Sequence, residues 1–77
     1  MTKPFGIKVD NNFLPPKEFI VDQIARQIER ETDYEFDTIK AMVFKNLKKK
    51  RIHSQQMTYH YVDIPTNVLT KGGFDII

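Results

Sequence analysis

Between Ile20 and Leu47 the apolar residues fall into two runs of helical spacing separated only by the polar link Glu31 to Glu35, and this pairing constrains the chain more than any other feature. The first run, Ile20, Val21, Ile24, Ala25 and Ile28, repeats at i, i+3 or i+4, with Asp22, Gln23, Arg26, Gln27, Glu29 and Arg30 on the opposite side. Pro16 has φ fixed near the helical value and lacks the amide that a helix start leaves unpaired, so the helix is predicted to begin there. The second run, Phe36, Ile39, Val43 and Leu47, has Met42 beside it and Asp33 or Asp37 available as its cap. Continuing that face brings Lys50 inward, so regular helix is expected to fray at Lys49 to Arg51, or Lys50 to snorkel outward.

Two amphipathic helices need a further layer to cover their stripes, and strand signals stand on either side of them. Phe5 to Val9 alternates apolar with small or polar residues and ends in the turn formers Asp10, Asn11 and Asn12, with Phe13 and Leu14 as an apolar anchor before the prolines. Met57 to Ile64 is rich in β-branched and aromatic residues, with Met57, Tyr59 and Tyr61 on one face and Thr58, His60, Val62 and Ile64 on the other. Pro65 is expected to stop it. His53 to Gln56 reads as a loop, Thr66 to Lys71 as a helical turn closed by Gly72 or a loop, and Phe74 to Ile77 as a last strand. The expected architecture is a small α+β single domain spanning residues 1–77, in the order β-α-α-β-β. Its two packed helices lie against a small, mainly antiparallel sheet of Phe5–Val9, Met57–Ile64 and Phe74–Ile77.

Composition narrows the function classes. With 40% hydrophobic and 29% charged residues the chain has a globular balance rather than a disordered one. It contains no cysteine, which removes disulfides, thiolate zinc sites and cysteine nucleophiles and suits a reducing compartment. The longest apolar runs, Phe19 to Val21 and Ala41 to Phe44, are far too short to span a bilayer, and the first residues lack a signal-peptide stretch. These features predict a cytoplasmic protein with no membrane partner, and Met1 without a processing site reads as the start of a complete small open reading frame.

No residue pattern points to catalysis. Ser54 lies in no glycine-rich elbow, and the acid pairs Glu29 with Asp33 and Asp33 with Asp37 read as solvated carboxylates near a helix start, where the helix dipole favours them. His53, His60 and Asp63 match no standard ligand spacing, and Gly72-Gly73 lacks the rest of a phosphate loop. No enzyme activity, catalytic residue, metal or organic cofactor is therefore expected.

The charge distribution carries the functional signal. Lys45, Lys48, Lys49, Lys50 and Arg51 put five cations into seven residues, although the formal net charge is only +2. His53, Gln55, Gln56, Tyr59, His60 and Tyr61 follow, mixing phosphate-seeking cations with amides and stacking rings. Part of this has an ordinary structural explanation, since cations at a helix C-terminus stabilise its dipole by about 0.3 to 1 kcal/mol each and tyrosines at strand spacing pack on sheets. Five cations exceed what one helix end needs. Lys45, Lys48, Lys49, Lys50, Arg51, His53, Tyr59 and Tyr61 are therefore the candidate nucleic-acid-binding residues. The expected function is that of a small accessory or regulatory protein binding DNA or RNA. The alternative is a non-catalytic protein-interaction module, an inhibitor or adaptor, using the same basic patch on an acidic protein partner or pairing a sheet edge.

One stretch resembles the recognition helix and wing of winged-helix DNA-binding domains: Thr38, Ile39, Leu47, the lysine run and Ile52, followed by the strand Met57 to Ile64. The link from Thr32 to Phe36 is too short to hold the additional helix such a domain requires, so the resemblance is one of fold-level analogy.

Overall fold

The computed structural model describes residues 1–69. Strand β1 (Thr2–Asp10) is followed by helices α1 (Lys17–Glu29) and α2 (Phe36–Asn46), then by strands β2 (Lys48–Ile52) and β3 (Met57–Pro65), with short 3-10 turns at His53–Gln55 and Thr66–Val68. Among the described residues the three strands form one antiparallel sheet in the order β1-β3-β2, with β3 central and β1 and β2 at its edges. The α+β class and the β-α-α-β-β order are those the sequence predicts.

The identity of one strand differs from the expectation. The basic run read as a fraying helix end is strand β2: α2 stops at Asn46, whose side-chain amide donates to the Met42 carbonyl at 2.8 Å, and Leu47 is already extended. Lys48 to Arg51 have no apolar alternation of their own, so local pattern is silent and pairing with β3 decides their conformation. Lysines suit this position, because charge on an edge strand discourages pairing with other chains. The strand expected at Phe74–Ile77, and the closure of the preceding turn by Gly72, lie outside the described residues.

Both helices begin close to the expected positions. Pro16 is the N-cap of α1, and Glu35, rather than Asp33 or Asp37, is the N-cap of α2, with Asp37 in its first turn. The turn from β1 into α1 is held by Asp10: its carboxylate accepts from the Asn12 amide at 2.8 Å and its carbonyl from the Phe13 amide at 3.0 Å. That Asx-type turn is why the Asp-Asn-Asn sequence ends the strand.

The helices cover one face of the sheet. Phe5 and Val9 of β1 and Val62 and Ile64 of β3 are buried with Ile20, Val21, Ile24, Ala25 and Ile28 of α1 and Ile39 and Val43 of α2. Leu69 closes this core, and the buried Thr32 hydroxyl donates to the Val68 carbonyl at 2.9 Å, tying the link between the helices to the turn after β3. The β1 edge is blunted by Pro4, which has no amide to offer, and by Gln27, whose side chain donates to the Gly6 carbonyl at 3.0 Å.

Candidate nucleic-acid interface

The period of two along a strand sends successive side chains to opposite faces, and strand register then sets who stands beside whom. On the face away from the helices, Tyr59 lies between Lys8 of β1 and Lys50 of β2, and Tyr61 lies between Gly6 of β1 and Lys48 of β2. The next row along pairs Met57 with Asp10 and Ile52, and at the other end Asp63 stands opposite Pro4. The result is a shallow platform with two aromatic rings at its centre and lysines on both flanks.

The two rings are stacked on each other, with centroids 5.1 Å apart and planes inclined by 11°. They are half-buried, whereas Lys8, Lys48 and Lys50 are exposed. Gly6 makes this arrangement possible: a Cβ placed there would collide with the His60 carbonyl and come within 2.6 Å of the Tyr61 Cβ and 2.9 Å of the Tyr59 ring. Lys48 pairs with Asp63 at 3.2 Å, while Lys8 and Lys50, the two that flank Tyr59, have no ion-pair partner among the described residues.

Strand alternation divides the basic run instead of gathering it. Lys48 and Lys50 face the tyrosines, whereas Lys49 and Arg51 share the helix side of the sheet with His60 and Thr58, which they oppose in register. Lys45 stands on the last turn of α2, and His53 is exposed on the turn between β2 and β3. Of the eight residues singled out from the sequence, four therefore converge on one surface: Lys48, Lys50, Tyr59 and Tyr61. Lys8 and Gly6 complete that surface and were not among the candidates. Their outward phase was visible in the alternation of β1, but only the register with β3 brings them beside the rings.

The turn that joins β2 to β3 ends at Gln56, which adopts a left-handed conformation with φ of 51°. Its carbonyl accepts from the Asn11 amide at 3.1 Å, and the Thr58 hydroxyl donates to the Asn11 side chain at 2.6 Å. The hairpin is thus braced against the turn that leaves β1, which fixes the platform at this end.

His60 belongs to the opposite side. It is buried, and its Nε2 has no hydrogen-bond partner among the described residues. Burial, reinforced by the Lys49 charge, pushes its imidazole below the ordinary range. It borders a cavity of about 270 Å³ together with Leu14, Lys17, Ile20, Leu47 and Lys49. His60 and Asp63 consequently point to opposite faces of β3, and among the described residues no group of three or more histidine, aspartate or glutamate side chains is placed to hold a metal ion.

The fold and the site together define a small α+β domain with one sheet face covered by helices and the other presenting an aromatic and basic surface. No helix among the described residues is long and apolar enough to cross a membrane. Comparison with protein-family models, with curated proteins and with solved structures found no match.

Proposed function

We propose that this protein is a small, non-catalytic, cytoplasmic accessory or regulatory protein that binds nucleic acid on the sheet face bearing Tyr59 and Tyr61. The observation that carries the reading is the row Lys8–Tyr59–Lys50, a ring between two cations without ion-pair partners among the described residues, with the second ring stacked alongside. Aromatic rings offer π-faces to bases, and flanking cations attract phosphates with release of counterions. Both residue types are needed in one place for that mode of binding, and strand alternation is what brings them together.

The experiment is a titration of labelled DNA and RNA oligonucleotides, followed by fluorescence anisotropy at several salt concentrations. Binding that weakens with salt, and becomes markedly weaker and less salt-dependent on replacing Lys8 and Lys50 by Glu, supports the reading. Absence of binding at the lowest salt contradicts it, because nonspecific association is strongest there.

A second reading is favoured by the position of β2. An edge strand with four successive cations could take an acidic extended segment of a protein partner by strand addition. Capture from lysate with and without nuclease separates the two: a partner that survives nuclease is protein.

A further inference from the structure

We infer that the platform takes single-stranded nucleic acid in preference to a duplex, with unpaired bases stacked on the Tyr59–Tyr61 pair and the phosphates carried along the lysine flanks. This rests on the nucleic-acid reading above and names the class of ligand within it.

The rings occupy the central strand, and the cations occupy the strands on either side of it. A ligand that satisfies both must turn its bases toward the middle of the sheet and leave its phosphates outside. A single strand can do this, because its bases are unpaired and free to splay onto rings. In a duplex the base faces are consumed by stacking within the helix, so the tyrosines would meet only the sugar-phosphate rim. The three described strands are already wider than the two-stranded ribbon that the major groove admits.

The segment that resembles a recognition helix does not supply a duplex site in its place. Helix α2 exposes Asp37, Thr38, Ala41, Phe44, Lys45 and Asn46, and the Lys40 ammonium is engaged with Asp22 at 3.9 Å and lies 5.7 Å from the centre of the Phe36 ring. Those six residues carry one cation, Lys45, and one acid, Asp37, too little charge to hold a phosphate backbone. Within the platform the two rows are unequal. Tyr59 has on each side a lysine without an ion-pair partner among the described residues, while next to Tyr61 the Lys48 charge is tied to Asp63, so the phosphate path lies nearer Tyr59.

The chain provides its own reporter. It has no tryptophan and three tyrosines, of which Tyr34 is exposed on the link between the helices. In a Tyr34→Phe variant all tyrosine emission comes from Tyr59 and Tyr61. Twelve-nucleotide oligo(dT) and oligo(U), and a twelve-base-pair DNA duplex, are titrated into this variant at low salt, with anisotropy of the labelled strand measured in parallel. The expected result is at least tenfold tighter binding of a single strand than of the duplex, with quenching of tyrosine emission at saturation. Tyr59→Phe with Tyr61→Phe should keep the affinity within about twofold, because the π-faces remain, whereas Tyr59→Leu should lower it about tenfold or more. Duplex binding equal to or tighter than that of both single strands, or single-strand binding without quenching, overturns the inference and leaves the nucleic-acid reading standing. Binding of neither overturns both.

Discussion

Gly6 of β1 lies directly opposite Tyr61 of β3, and the space its missing side chain leaves is filled by the Tyr59 ring and the backbone of the central strand. The nearest atoms to an added methyl group are a backbone carbonyl and the Tyr61 Cβ, neither of which can swing aside. Gly6→Ala is therefore expected to destabilise the fold by about 1 to 3 kcal/mol, the range for forcing an extra methyl group into a filled space. Lys8→Ala, two residues along on the same face and exposed, should stay within about 0.5 kcal/mol of the parent. Urea denaturation of the two variants checks the difference, and equal stabilities would show that the rings do not lie over Gly6.

The division of the basic run makes a prediction about salt. If Lys8 and Lys50 engage two phosphates of a single strand while Lys48 stays paired with Asp63, the log-log salt slope of affinity should be roughly −1.4, since each contact contributes about −0.7. Lys8→Glu with Lys50→Glu should flatten it sharply. Lys49→Glu with Arg51→Glu alters the same net charge on the opposite side of β2 and should change it far less. Equal effects of the two pairs would mean that the run acts as one undivided patch.

His60 gives the fold a dependence on pH. Its imidazole titrates lower in the folded chain than the ordinary value near 6.5, because burial and the neighbouring Lys49 disfavour its charged form. The unfolded chain therefore binds this proton more readily, so the contribution of neutral His60 is fully present above about pH 6.5 and is lost as pH falls through the lowered folded value. The melting temperature is expected to drop between pH 7.5 and pH 5, and His60→Leu should reduce that drop. A variant that loses stability as steeply as the parent would assign the effect to other groups.

Much of this fold was readable from residue pattern. The stripes of α1 and α2 and the two faces of β3 follow from periodicities of 3.6 and 2, and the structure buries or half-buries the residues those periods select. Lys48 to Arg51 were not readable, because four consecutive cations have no apolar face under either period and only the ladder with β3 makes them a strand. The same limit applies to the site. Alternation alone puts Tyr59 and Tyr61 on one face, but the placement of Lys8 beside Tyr59 depends on a register between strands some fifty residues apart. That register is set by tertiary packing.

Thr32 offers a test of how the turn after β3 is held. Its hydroxyl is buried and donates to the Val68 carbonyl across the link between the helices. Thr32→Val keeps the shape and removes the donor to the Val68 carbonyl, and should cost about 1 to 2 kcal/mol. Thermal denaturation followed by far-UV circular dichroism measures it; a variant as stable as the parent would mean that the bond contributes nothing.

The central claim is that nucleic acid binds the face of the sheet turned away from the helices, and a two-dimensional amide NMR titration of the labelled protein with a single-stranded oligonucleotide tests it most directly. Perturbed resonances are expected at Lys8, Lys48, Lys50, Tyr59 and Tyr61, with the exposed surface of α1 and α2 unchanged. Perturbations centred on Lys45 and the exposed side of α2, with the tyrosine face silent, or no perturbation at low salt and excess oligonucleotide, would contradict it.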